Sequence, residues 1–160
     1  MPVKLISQNE ESLLNEAVAA ELYASNLYKH VANQLQRLGY FGAQKFFLAE
    51  SAGELEHYQR LADYLNDRGT VAKIPQVDAI TDTVKSLRDA IEIAYDTEVQ
   101  LGEDYERWYK KCDRAVTQQF LLFYLEEQRK AVGEFGDLLA RLDRAGNDNA
   151  ALLIFDKEMA

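Results

Sequence analysis

Cysteine is all but missing: Cys112 stands alone in 160 residues, which excludes an intrachain disulfide and every Cys-x-x-Cys metal or redox motif. A reducing compartment is the expected setting. Proline is equally scarce, with only Pro2 and Pro75, and glycines fall where long patterns stop. Basic residues are outnumbered, 18 Lys and Arg against 27 Asp and Glu for a net charge of −9, which argues against a sequence-independent nucleic-acid binder because too few cations are present to replace the counterions of phosphates. No uninterrupted apolar run has the length of a membrane span, and Met1 to Gln8 lack the apolar core of a secretory signal. The expectation is a soluble, cytoplasmic protein with no membrane and no nucleic-acid partner.

What is there is helical periodicity. Apolar residues recur at steps of three and four, and nowhere do apolar and polar residues alternate as in a strand. The pattern predicts an all-α chain forming a single domain over 1–160, with a bundle over about 7–145. Its four long helices span about 7–38, 40–68, 86–111 and 113–145, and a short C-terminal fifth covers about 147–158. Ser7-Gln8-Asn9-Glu10 reads as a capping box, Ser86 with Asp89 as a second helix start, and Asp113 as the cap of the fourth helix. Gly39, Gly69 and Gly146 read as C-terminal glycines. Short turns make helices one and two, and three and four, antiparallel pairs. The stretch from Gly69 to Lys85, about sixteen residues, is long enough to cross the bundle and let helix three run parallel to helix two. Gly133 and Gly136 within the fourth helix suggest a bend or a close backbone approach.

The exceptions on the apolar stripes carry the chemistry. The first helix buries Leu14, Ala17, Val18, Ala24, Tyr28, Val31 and Leu35, and Glu21 interrupts that run. On the second, Glu50, Glu54 and His57 sit between Phe47 and Leu61; on the third, Glu98 lies between Ala94 and Leu101; on the fourth, Gln128 lies between Tyr124 and Ala131 with Glu127 beside it. A carboxylate moved unpaired into a core costs several kcal/mol, and no Lys or Arg falls on these stripes to offset it. A divalent metal is the remaining counter-charge. Carboxylates with one imidazole and no thiolate suit iron or manganese. Glu54-x-x-His57 alone is a weak signal; its register with Glu21 and Glu98 on separate helices is the strong one.

Other residues have plainer readings. His30 lies off the stripe, as a surface or interface residue; Cys112 is a small buried hydrophobe; Glu103, Asp104 and Glu106 form a solvated face. Nine tyrosines, seven phenylalanines and Trp108 exceed the needs of one core, and the short fifth helix finds no place in a four-helix bundle, so both point to self-association at subunit contacts.

Nearly the whole chain resembles a haem-free bacterial-type ferritin. The likeness is carried by Asn15-Glu16-Ala17 to Tyr28, Phe47 to His57, Tyr95 to Val99, Tyr124-Leu125-Glu126-Glu127-Gln128 and Leu153-Ile154-Phe155-Asp156-Lys157-Glu158. The resemblance implies a ferritin-like four-helix bundle with one long crossover between helices two and three plus a short C-terminal helix. It also implies a hollow 24-mer shell, and iron storage through a ferroxidase that oxidises Fe(II) with O₂ or H₂O₂ at an intrasubunit di-iron centre. By the same resemblance Glu21, Glu54 and His57 match ligands of the first iron and Glu54 bridges to a second held by Glu98. Gln128 and Tyr28 match the glutamine and tyrosine beside the centre, with Glu127 and Glu50 as accessory ligands. Tyr28 as a packing tyrosine and Tyr28 as a redox residue stay open alternatives.

The chain also departs from the family. Gly53 stands immediately before Glu54 where many members have a second acid, Lys130 and Ala131 where bacterial members with a third iron site are acidic, and Gln118 and Leu121 where animal members carry acids of an entry channel. Haem is not implied, because the two methionines, Met1 and Met159, are both terminal. The alternative function is a non-storage di-iron peroxidase or electron-transfer protein of the rubrerythrin kind, which normally brings a second histidine motif and often a cysteine-bound iron, both absent here.

Overall fold

Long runs free of proline become five helices in a computed structural model that describes residues 3–160: α1 Gln8–Arg37, α2 Phe41–Asp67, α3 Leu87–Lys110, α4 Ala115–Ala145 and α5 Asn149–Met159. Met1 and Pro2 lie outside the described residues, and no strand occurs among those described. Ser7 and Ser86 accept from the amides of Glu10 and Asp89, as the cap pattern requires, and Asp148 opens α5 in the same way by accepting from Ala150. Gly39, Gly69 and Gly146 all adopt positive φ where their helices end.

Two caps differ from the sequence reading. Glu10 does not turn back on its own helix. Its Oε1 accepts from the backbone N–H groups of Asp113 and Arg114, at 3.0 and 2.9 Å, so a buried carboxylate of α1 closes the N-terminus of α4. Asp113, freed from capping, accepts from Ser7 Oγ and Asn9 Nδ2, and Arg114 takes the N-cap position without a side-chain bond. Tertiary contact overrides the local box because it satisfies two amide donors at once.

The packing divides the core into two apolar clusters. One joins Val31 and Leu35 of α1, Ala43 and Phe47 of α2, Leu87 and Ile91 of α3, and Phe135 and Leu142 of α4. The other joins Leu14, Leu61, Tyr105 and Leu121. Because each cluster takes the start of α2 with the start of α3, or the end with the end, these two helices run parallel, and α1 and α4 run the other way. The crossover lies along α1: Lys73 N donates to Asn15 Oδ1, Val84 N donates to Gln34 Oε1, and the Asp82 carbonyl accepts from His30 Nε2 at 2.7 Å. His30 therefore pins the crossover and is half-buried rather than a surface residue. Between α1 and α2, Ser25 and Ser51 each donate a hydroxyl to the other's carbonyl, which satisfies both where the helices meet.

Three further expectations are corrected. α5 does have a place in the subunit: it closes one end of the bundle, burying Phe155 and Met159 in the first cluster while Leu153 and Ile154 stay 56% and 61% exposed. The aromatics are surplus only in part, since Tyr28, Tyr105, Tyr124, Phe47, Phe135 and Trp108 are core residues while Tyr23 and Phe41 stay 39% and 61% exposed. Neither Gly133 nor Gly136 marks a tight contact; a Cβ at Gly133 would meet nothing, and one at Gly136 only the Tyr95 ring at 3.8 Å.

The close approach is instead at Gly42, where a Cβ would stand 1.9 Å from the Asp156 carbonyl oxygen. There the Asp156 carboxylate of α5 accepts from the amides of Gly42 and Ala43, at 3.2 and 2.7 Å, and so caps α2. Replacing Gly42 by alanine should cost about 1–3 kcal/mol by forcing α5 off this seat. Asp156→Ala should cost about 1 kcal/mol through the lost cap. Urea unfolding of each variant measures both, and an unchanged midpoint for Gly42→Ala would contradict the docking described.

Candidate metal centre

Four helices deliver polar groups to one level between the two apolar clusters. The period of the stripes dictates this: Glu21 is one turn before Ala24 on α1, Glu54 and His57 are one turn apart on α2, and Glu98 and Gln128 stand mid-helix on α3 and α4. Glu21, Glu98 and Glu54 are 0%, 1% and 4% exposed. One ligand atom each from Glu21, Glu54 and His57 lies within 4.8 Å of the others, a grouping that fits a single ion. His57 Nδ1 is 3.0 Å from Glu54 Oε2 and 3.5 Å from Glu21 Oε2. That Glu21 oxygen is buried and has no hydrogen-bond partner, as expected of an atom awaiting a cation.

Glu98 lies beside this cluster rather than in it. Its two oxygens are held by Tyr28, whose hydroxyl donates to Oε1 at 2.5 Å, and by Gln128, whose Nε2 donates to Oε2 at 2.6 Å. A cleft of about 220 Å³ between α2 and α4 opens onto the group, lined by Glu50, Glu54, His57, Glu98, Glu127, Gln128 and Glu134 among others. Gly53 and Ala131 are among its lining residues. Glu127 Oε2 is 3.9 Å from His57 Nε2, and Lys130 Nζ is 3.7 Å from Glu127 Oε1. Larger grooves, between α1 and α3 and between α3 and α4, collect no comparable donors.

The electrostatics are those of an uncompensated site. Among the described residues no Lys or Arg pairs with Glu21, Glu54 or Glu98. Burial, with the neighbouring Glu21, pushes Glu54 up to about 8; burial, with Glu54, pushes Glu98 to about 7; and burial, with Glu54 and Glu98, pushes Glu50 to about 7. Burial alone would lower His57, but the Glu21 and Glu54 carboxylates overcome it and raise the imidazole to about 10. Without metal, the fold therefore holds protons where cations belong.

All the residues marked out by sequence meet around this cleft or touch its liners, including Tyr28, Glu50 and Glu127. Sequence reasoning missed Tyr105. It falls on the apolar stripe of α3 with Leu101 and Trp108, yet its hydroxyl donates to Glu21 Oε1 at 2.5 Å. The available signal was its position seven residues after Glu98 on the same face. Cys112 is half-buried, its thiol pushed up to about 11 by burial and by Glu10. Glu103 and Glu106 are exposed, while Asp104 is half-buried and pairs with Arg107.

Residues 11–145 match the ferritin family, described as a ferritin-like domain. A probable bacterial non-heme ferritin-like protein of Haemophilus influenzae is 31% identical, covering 97% of this chain and 96% of its own. A bacterial non-heme ferritin of Staphylococcus aureus is 29% identical over 97% of this chain and 95% of its own. Among solved structures, an open pore ferritin from the archaeon Archaeoglobus fulgidus superposes with a TM-score of 0.93 at 27% identity, covering 96% of each chain.

The raised values make metal binding pH-dependent in a definite direction. Below pH 4.5 the three carboxyls are protonated in folded and unfolded chains alike. As pH rises from 4.5 through about 8 the unfolded chain ionises more readily, so the metal-free fold loses stability across that window. His57 contributes in the same sense, its stabilisation complete below 6.5 and lost through about 10. Zn²⁺, a redox-silent stand-in, should therefore raise the melting temperature more at pH 8 than at pH 5, and release protons on binding near pH 6.5. Glu54→Gln should raise the metal-free melting temperature at pH 8 and abolish the Zn²⁺ effect; calorimetry in weak buffer reads both.

Proposed function

The chain belongs to the ferritin family, and from that premise we propose that it stores iron, taking up Fe(II), oxidising it within each subunit and depositing the ferric product inside a shell of many copies. The observation that carries this reading is the buried grouping of Glu21, Glu54 and His57, with which no Lys or Arg pairs among the described residues. Iron is the substrate. The first Fe(II) is taken by these three residues; the second is taken beside it by Glu98, with Glu54 shared and Gln128, Glu50 and Glu127 completing the surroundings. Hard oxygen donors with one imidazole favour this metal class and stabilise Fe(III) over Fe(II).

Two Fe(II) ions supply the two electrons that convert O₂ and two protons into H₂O₂, or H₂O₂ and two protons into two waters. The protein positions the pair and matches its charge. Only one Glu-x-x-His motif is present, so the second ion is held more weakly and the product can leave, which suits turnover and storage better than a permanent di-iron oxygenase. Tyr28, whose hydroxyl donates to Glu98 Oε1, holds the carboxylate of the second position in its setting. The cleft between α2 and α4 is the way out for ferric product, with Gly53 and Ala131 among its lining residues.

Storage requires enclosure, and the reading includes a closed homo-oligomer, a 24-mer. It is supported by membership of the ferritin family and by apolar side chains left exposed on the subunit, among them Phe41, Leu48, Leu153 and Ile154. A reducing, cytoplasmic setting fits the free Cys112 and the need for Fe(II).

Addition of excess Fe(II) in air should yield large soluble particles holding many irons per chain, measured by light scattering and iron assay. A fixed pair per chain would instead favour a catalytic di-iron protein. Glu54→Ala should slow the fast phase of ferric absorbance by more than about tenfold, since even outer partners of metal ligands act on that scale. A rate equal to the parent's would refute the centre as the site of oxidation.

A further inference from the structure

One polar contact of the centre plays no part in holding iron as described so far. Tyr105 has no exposed surface and donates to Glu21 Oε1, just as Tyr28 donates to Glu98 Oε1, both at 2.5 Å. Each of the two iron positions thus has its own phenol. Their surroundings differ. The Tyr28 ring meets Phe47, a ring that does not share an electron hole. Tyr105 stacks on Tyr124 with ring centroids 4.7 Å apart and planes 12° from parallel, and meets Trp108 edge-on at 5.0 Å. Tyrosine and tryptophan rings in such contact can spread a hole that one ring alone would hold.

Building on the iron-oxidation reading above, we propose that Tyr105 is the electron donor that completes hydrogen peroxide reduction when only one Fe(II) is bound. Glu21, Glu54 and His57 each offer a ligand atom to a single ion, whereas Glu98, the carboxylate that anchors the neighbouring position, is already engaged by Tyr28 and Gln128. At low iron the lone Fe(II) occupies the first position. Cleaving the O–O bond of H₂O₂ into two waters takes two electrons and two protons, and one Fe(II) provides one electron. Left there, the reaction would release hydroxyl radical. Tyr105 provides the second electron, its phenolic proton passes through Glu21 to the departing oxygen, and the other proton is taken up from solution. The sum is H₂O₂, Fe(II), the phenol and one proton giving Fe(III), a neutral Tyr105 radical and two waters. Of the phenols near the cluster, Tyr105 is the one whose hydroxyl touches a first-position carboxylate; Tyr124 donates instead to the His57 carbonyl at 2.7 Å.

The test uses the full chain, stripped of iron, loaded without oxygen with one Fe(II) per chain, mixed with an equal amount of H₂O₂ and frozen for electron paramagnetic resonance, with a spin trap in a parallel sample. The parent and Tyr28→Phe should give a tyrosyl radical and little trapped hydroxyl. Tyr105→Phe should lose the radical and release more hydroxyl. A radical unchanged in Tyr105→Phe, its loss in Tyr28→Phe, or hydroxyl adduct without protein radical in the parent would each overturn the proposal. Zn²⁺ binding equal to the parent's certifies the variant's fold. Should that variant not fold, ring-deuterated tyrosine in the parent chain must narrow the signal, and a signal that does not narrow overturns the proposal. Aerobic oxidation by the parent is run alongside: its absence fails the iron-oxidation reading itself, while intact oxidation with no dependence on Tyr105 fails this inference alone.

Discussion

Acidic side chains meeting in an apolar interior without a basic partner form the constraint on which the rest of this subunit depends. Glu21, Glu54 and Glu98 come from three helices to one level, each almost wholly buried. Their mutual repulsion and lost hydration are offset only in part by His57 and by the hydroxyls of Tyr28 and Tyr105. A bound divalent cation would offset the conflict. The two apolar clusters on either side make the arrangement tolerable, because each anchors all four long helices and leaves the polar layer as a break between two well-packed ends.

Positioning is enforced from the periphery by the same chemistry. Glu10 closes the N-terminus of α4, and Asp156 closes that of α2, each from another helix more than a hundred residues away. A carboxylate placed on free amides at a helix start gains both hydrogen bonds and the favourable end of the helix dipole. These remote caps fix the axial setting of the helices that carry Glu54, His57 and Gln128. The crossover, laid against α1 by Asn15, His30 and Gln34, lets α2 and α3 run parallel with no strain visible in the backbone, where only glycines take positive φ among the described residues.

Much of this was legible in the residues. The helix limits follow from periodicity and from Ser7, Ser86 and the terminating glycines, each acting within one turn of its own position. The site residues were legible because a carboxylate on an apolar stripe is costly wherever the stripe packs. Less legible were the roles that depend on a distant partner. Glu10 has the spacing of a capping box, and nothing local says that it will reach α4 instead. Gly42 looks like any other glycine until Asp156 arrives above it. Tyr105 is indistinguishable from a core aromatic by periodicity, since its ring is indeed core and only its hydroxyl has a second task.

Composition and spacing by themselves determined that the chain is helical, that four helices bury a face, and that those faces carry acids needing a cation, because each of these depends on the period of the backbone and on the hydration of single side chains. Tertiary structure alone decided which acids come within reach of one ion and which cap a helix, and that the short final helix seats on the bundle's end. Those outcomes rest on distances between residues far apart in the chain, where a shift of an ångström separates a ligand from a hydrogen-bond acceptor.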